Sequence, residues 1–303
     1  MPVAVTLCLT LVANRMAKSN VLCKVLTTVE TLGSVNVICC DKTGTITCNK
    51  MFASNVSITD QELTARACVD ISNENSQSPL QYAVQQLYLA ATLCTNATFD
   101  ASTIEYPVSQ RKINGDATDS AVLIFAENIK ETEAAKAAIE KVFEIPFNSK
   151  NKWMLTLSQP KNDQMAESVG PDMTVDDYVI YTKGAPDILY SRCTTIMLPD
   201  GSIDVFSDQR KQEIVDIQTK WALEGKRVLA LTRRIIKKAE VPSDVVLGTN
   251  QFGKYVNAIN QSLTIIGLLA IVDPPREESA HTIQVCRRAG IRFYMVTGGK
   301  LQV

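Results

Sequence analysis

Histidine occurs once in the 303 residues, at position 281. His281 sits in a polar, helix-like stretch and reads as a surface residue, so a His-based metal site or a Ser/His triad has no anchor. The nine cysteines show no CxxC spacing, and only Cys39 and Cys40 are adjacent. An odd, unpatterned count favours reduced thiols in the cytosol over a disulfide framework or a zinc site. Neither sign of charge dominates: 31 Lys and Arg face 32 Asp and Glu, a net charge of −1. That balance argues against nucleic acid as a partner. The apolar run PVAVTLCLTLVA, residues 2–13, falls short of the roughly 20 residues a spanning helix needs. No basic region precedes it, which argues against a secretory signal. Arg15, Lys18 and Lys24 follow it, as basic residues do where a membrane helix emerges on the cytoplasmic side. Internal repeats and low-complexity tracts are missing too.

What is present is an ordinary globular composition, 46% hydrophobic and 21% charged, enough for a real core and, at this length, for two domains. The stretch VICCDKTGTITCNKM, residues 37–51, is the most informative. Its short apolar start reads as a buried parallel strand over 35–40. Asp41 then stands at the strand's carboxyl end, where open α/β sheets place their ligand crevices. Gly44 relaxes the following loop so that its amides can turn towards an anion. A carboxylate so placed can attack phosphorus and form an acyl phosphate.

Further along, NENSQSPLQ (73–81) is a polar connector before an apolar helical stretch over 82–98. DATDSAVLIFAENI is predicted to be a helix capped by an Asp, with Ala121, Ile124 and Phe125 at helical spacing. KVFEIPF and KWMLTLS read as strands around the turn NSKN, and DYVIYTKGA as another strand. IMLPDGSIDVF is a hairpin signal. DQRKQEIVDIQTKWALEG is an amphipathic helix stopped by Gly225, followed by the strand KRVLALTRRI. Residues 236–261 read as a loop. LTIIGLLAIVDPPR, EESAHTIQVCRRAG and IRFYMVTGG then alternate strand, helix and strand, which predicts parallel topology. Strands at 35–40, 263–272 and 291–297 are accordingly expected in one Rossmann-like domain, with a second domain inserted.

The pentad DKTGT after an apolar strand resembles the phosphorylation motif of the P-type ATPases, and the resemblance extends over nearly the whole chain, closest to the sodium/potassium-pump branch. It implies an α/β fold: an incomplete Rossmann-like, haloacid-dehalogenase-type phosphorylation domain with a large inserted α+β nucleotide-binding domain. The implied organisation is a membrane-helix end and stalk at 1–29, phosphorylation domain at 30–51 and 261–303, and nucleotide domain at 52–260. Asp41 would be the phosphorylated residue, with Lys42 and Thr43 beside it in the catalytic loop, and Asp41 with the Thr43 carbonyl would hold Mg²⁺.

KGAPD is similar to the family's Lys-Gly-Ala-Pro-acid motif, which places Lys183 and Gly184 in an ATP pocket. EIPFNSKNKWML resembles the segment whose Phe stacks on adenine, here Phe147, and whose Lys lines the pocket, here Lys152. NGDATDSAVL resembles the segment whose acid contacts the adenine side; Asp119 stands where Glu is common, and Asp116 serves equally as a helix cap or a ligand. Arg227 of GKRVLAL matches an Arg that reaches phosphates. DPPR resembles the family's hinge, implying that Asp273 and Arg276 lie near ribose and phosphates. In MVTGGK, Thr297 and Gly298 match residues near the phosphoryl oxygens, but Gly299 replaces the expected Asp.

The resemblance thus implies ATP and Mg²⁺ as substrate and cofactor, monovalent cations as cargo, a membrane setting with this region on the cytoplasmic face, and an accessory β-type subunit as a possible partner. The family's further phosphate-binding Lys and magnesium-binding segment do not follow Val303, and the chain reads as a fragment or truncated product expected to bind ATP with little turnover. Two other readings stay open: an ATP-binding module without turnover, and a haloacid-dehalogenase-type phosphatase. The phosphatase would need an acid two residues after the nucleophile, where Thr43 stands.

Overall fold

A computed structural model describes residues 3–73, 78–242 and 248–296. Their contacts divide the chain into two units, Met1–Asn49 with Pro274–Val303, and Lys50–Asp273.

The first unit begins with helices α1 (Val3–Lys18) and α2 (Thr27–Leu32). No residue of α1 is buried, and no helix among the described residues is long and apolar enough to cross a membrane. Strand β1 (Val37–Asp41) pairs in parallel with β13 (Arg292–Val296), numbered along the whole chain, from Val37↔Arg292 to Asp41↔Val296. Helix α11 (Glu277–Arg288) leads into β13 and is closed by Gly290, whose φ of +77° suits the left-handed turn. His281 is exposed on this helix. The expectation of a buried β1 needs correcting: none of its residues is fully buried, because among the described residues only β13 lies beside it.

The second unit is built on a nine-stranded sheet. Its strands are β2 (Phe52–Ile58), β3 (Gln61–Thr64), β6 (Ile139–Ile145), β7 (Trp153–Pro160), β8 (Tyr178–Gly184), β9 (Cys193–Met197), β10 (Ile203–Val205), β11 (Arg227–Ile236) and β12 (Leu263–Val272). The order is β10-β9-β12-β11-β8-β7-β6, with β2 beside β12 and β3 beside β2. All pairings are antiparallel except β12 with β9. A short ladder joins β4 (Thr98–Phe99) to β5 (Ile113–Asn114).

Two apolar layers fill the space on either side of this sheet. Helices α3 (Ala65–Asn73), α4 (Leu80–Leu93), α5 (Ala117–Ile129), α6 (Thr132–Ala138) and α7 (Asp163–Val169) contribute to one, around Leu87, Phe125 and Tyr181. Helices α8 (Pro186–Leu189), α9 (Asp208–Leu223) and α10 (Asn250–Ala258) contribute to the other, around Trp153, Trp221 and Leu268. In α4, Ala83, Val84, Leu87, Ala90 and Ala91 recur at helical spacing and are all buried. The helix ends at Leu93, earlier than the expected 98.

Two expectations fail here. Strand 263–272, expected in one domain with β1, is instead inside the antiparallel sheet between β11 and both β9 and β2. The contact break therefore falls after Asp273 rather than after residue 260. An uninterrupted apolar strand looks alike in a parallel sheet and in the middle of an antiparallel one covered on both faces. Second, the expected loop 236–261 contains α10, whose Phe252 and Val256 are buried one turn apart. The Thr249 side chain accepts from the Phe252 N–H and starts that helix.

Candidate functional site

In the first unit Asp41 is the last residue of β1 and is exposed. Its Oδ1 accepts from the Thr43 N–H at 3.4 Å. Thr43 is extended (ψ 122°), and Gly44 takes φ +78°, a value at which any side chain would be strained. The loop is then closed by Thr47, which the sequence reasoning did not single out. Its N–H and hydroxyl both donate to the Lys42 carbonyl at 3.1 Å, and its Oγ1 accepts from the Gly44 N–H at 3.1 Å. Arg276 lies on this loop, its Nη2 donating to the Gly44 carbonyl at 2.9 Å. Its backbone N–H, and the Ser279 hydroxyl, donate to the Ile46 carbonyl at 2.9 and 2.7 Å. Thr297 and Gly298, like Gly299, lie outside the described residues.

In the second unit the antiparallel register brings several candidates to one end of the sheet. β8 ends at Gly184, which pairs with Trp153 at the start of β7 and with Ala230 near the start of β11. Arg227, at that start, pairs with Ile271 at the end of β12, and Asp273 follows that strand. β6 ends opposite Leu155, so Phe147 and Lys152 occupy the two sides of the next turn. Lys183, Gly184, Lys152, Phe147, Arg227 and Asp273 therefore share this end.

Gly184 is needed for the close approach of β7: an added Cβ would stand 2.6 Å from the Lys152 carbonyl and 2.7 Å from the Trp153 Cβ. Phe147 leaves 57% of its surface open, so its ring is accessible to a stacking partner. Lys152 is exposed, in a left-handed conformation at φ +59°.

Lys183 behaves differently from the open cation expected. Its side chain is 5% exposed, and Nζ lies 2.6 Å from Asp119 Oδ1. Asp119 Oδ2 also accepts from the Asn96 N–H at 3.0 Å and the Thr95 hydroxyl at 3.3 Å. The carboxylate is held from three directions, and the pair carries little net charge. Its low-dielectric surroundings show at the adjoining Cys94, whose thiol is pushed up by burial while the Lys183 charge pulls the other way.

Asp116 is the N-cap of α5, accepting from the Thr118 and Asp119 N–H groups at 2.8 and 2.9 Å. Arg227 is tied to the same turn: Nη1 donates to Thr118 Oγ1 at 2.7 Å. Thr95, Asn96 and Thr118 were missed in the sequence. Only Thr118, between the two aspartates of DATD, had a signal that could have marked it.

A family model described as "P-type ATPase, cytoplasmic domain N" matches residues 83–278. The chain belongs to the P-type ATPase family. Among curated P-type relatives, it is 33% identical to the sodium/potassium-transporting ATPase subunit alpha-3 of Homo sapiens and 32% identical to subunit alpha-A of Artemia franciscana, in each case over 97% of the chain and 28% of the relative. It is 34% identical to subunit alpha-1 of Oreochromis mossambicus over 97% of the chain and 27% of the relative. The chain spans little more than a quarter of the length of the relatives it matches.

Proposed function

We propose that the second unit binds ATP at the sheet end described above and that Asp41 of the first unit receives the γ-phosphoryl group, as part of an ATP-driven cation pump. The observation that carries this reading is the convergence of Phe147, Lys152, Lys183, Gly184 and Arg227 on one end of the antiparallel sheet. Phe147 offers a ring for the base. Lys152 and Arg227 offer cations for phosphate oxygens, and Gly184 opens the backbone between them. Asp119 and Lys183 form the floor behind these groups, and Asp116 acts by fixing the first turn of α5. Asp273, at the same end, is assigned to the ribose side.

The first unit is read as a Rossmann-like, haloacid-dehalogenase-type phosphorylation domain. The parallel pairing of β1 with β13, and the place of Asp41 at the carboxyl end of β1, support this. Arg276 then acts through the Gly44 carbonyl, holding the loop that carries Lys42 and Thr43; Thr297 and Gly298 are assigned to the phosphoryl oxygens. In the transfer, a carboxylate oxygen of Asp41 attacks the γ-phosphorus, and the bond from that phosphorus to the β–γ bridging oxygen breaks. ADP leaves with the electron pair. Thr43 is no general base, so the acyl phosphate would persist as a pump requires.

The exposed Asp41 carboxylate and the Thr43 carbonyl are hard oxygen donors of the kind Mg²⁺ takes, with nucleotide phosphates and water completing its shell. Bound there, Mg²⁺ would neutralise charge on the transferring group. The sodium/potassium-transporting relatives support monovalent cations as cargo, and the matched cytoplasmic domain N supports a place for this region on the cytoplasmic face of a membrane. An accessory β-type subunit is part of the same proposal.

The test is incubation with γ-labelled MgATP, using the chain and any longer protein that contains it. Acid-stable, hydroxylamine-labile label that vanishes in Asp41→Asn is expected. Label retained in that variant would remove Asp41 from the role. ATP binding to the variant should be intact or tighter, since a negative charge facing the γ-phosphate is gone.

A further inference from the structure

Lys152 adopts a backbone conformation that its own side chain disfavours. Its φ of +59° lies in the left-handed region, where any residue with a Cβ is strained and glycine is not. Among the described residues, the other non-glycine residues with positive φ are Asn20, Asn49, Thr59 and Ser262, all short and polar, whereas Lys152 is a long cation. The protein holds it there from two sides. Its N–H donates to the Asn148 carbonyl at 2.8 Å, the bond that closes a turn at a left-handed residue. Its carbonyl accepts from the Ala185 N–H at 3.0 Å, which pins it to the end of β8. The turn between is clamped by a side chain: Asn148 Oδ1 accepts from the Asn151 N–H at 2.7 Å.

A strained residue persists only where the structure around it over-determines its conformation, and such residues gather at ligand sites. Glycine at position 152 would relieve the backbone but remove the ammonium. That ammonium is exposed and, among the described residues, takes part in no ion pair. Asn148 is exposed too, so its clamp organises the turn and fills no core. We infer that Asn148 is a positioning residue for the nucleotide's phosphates. By holding the Asn151 N–H it fixes the turn, and the turn holds Lys152 where its ammonium meets phosphate oxygens. Asn148 itself touches no ligand. The inference rests on the nucleotide reading above and adds the device that sets one of its cations.

The test is a calorimetric titration of the full chain with ATP and, separately, with adenosine, which has no phosphate. Wild type, Lys152→Met, Asn148→Ala and the double variant are compared. Lys152→Met should weaken ATP by about fivefold, the loss of one exposed charge contact, and leave adenosine unchanged. Asn148→Ala should weaken ATP by about threefold, again without change for adenosine. In the Lys152→Met background Asn148→Ala should be silent, because the two residues act as one unit. Asn148→Ser keeps a side-chain acceptor for an N–H close by in the turn and should restore the affinity for ATP. Unchanged ATP affinity in Asn148→Ala would overturn the inference. So would an equal loss for ATP and adenosine, an undiminished loss in the Lys152→Met background, or no recovery in Asn148→Ser. Each of those outcomes, with saturable ATP binding to the wild type, leaves the nucleotide reading standing. No saturable ATP binding to the wild type removes that reading and this inference together.

Discussion

Lys183 Nζ and Asp119 Oδ1 lie 2.6 Å apart in a place where each side chain is more than nine-tenths buried. The two residues are 64 positions apart in sequence, one at the end of a strand and the other in the first turn of a helix. Their pairing locks α5 to the sheet end. Breaking it from either side leaves an uncompensated buried charge, so Lys183→Met is expected to lower stability by about 3–5 kcal/mol. Urea unfolding of the full chain measures this. The double variant Lys183→Met with Asp119→Asn should recover part of the loss, since no net charge is then stranded.

Asp116 separates two roles that the sequence left open. As the cap of α5, its replacement by Ala should cost about 0.5–2 kcal/mol of stability. ATP affinity should stay within twofold, roughly, of the wild type, because its carboxylate is committed to two helix amides. A large loss of affinity with unchanged stability would instead make it a ligand.

Gly184→Ala tests the close approach of β7 to β8. The added methyl carbon meets backbone on one side and Trp153 on the other, and neither moves without shifting a strand. A destabilisation of about 1–3 kcal/mol is expected, with weaker ATP binding because Lys152 shifts too. Thermal unfolding with and without ATP reads both effects.

Acid should loosen the far side of the second unit through Asp177. Burial alone would raise its carboxyl, but the Thr174 and Lys238 N–H groups, the Lys237 ammonium and the Thr174 hydroxyl outweigh that and hold it at about 2. The folded value is below the ordinary 3.8. The contribution is therefore complete above the ordinary value and is lost as pH falls from about 4 towards 2. In Asp177→Asn the stability profile across that window should be flatter than in the wild type. Parallel profiles would show that the carboxylate contributes nothing to folding.

The parts legible in the sequence were those set by local pattern. The Asp-capped helix after residue 116, the β6 and β7 strands around the turn NSKN and the stop at Gly225 all follow from capping, alternation and turn chemistry within a few residues. Strand β12 was legible as a strand but not in its neighbours, because its run from Leu263 to Val272 carries no mark of sheet direction. Helix α10 stayed hidden because its pattern rests chiefly on Phe252 and Val256. At the candidate site, motifs named Lys183 and Asp119 separately. Their mutual neutralisation, the Arg276 bond to Gly44 and the Thr47 closure are long-range or loop-level relationships that residue spacing does not encode.

The most direct measurement is a calorimetric titration of ATP onto the purified chain, compared with its Phe147→Ala variant. Phe147 is exposed, so the substitution should leave the fold unchanged. ATP should bind the wild type saturably, and the variant should lose about 1–3 kcal/mol of binding free energy, the loss expected for one base–aromatic stack. Equal affinities, or no saturable binding to the wild type, would contradict a nucleotide site at this end of the sheet.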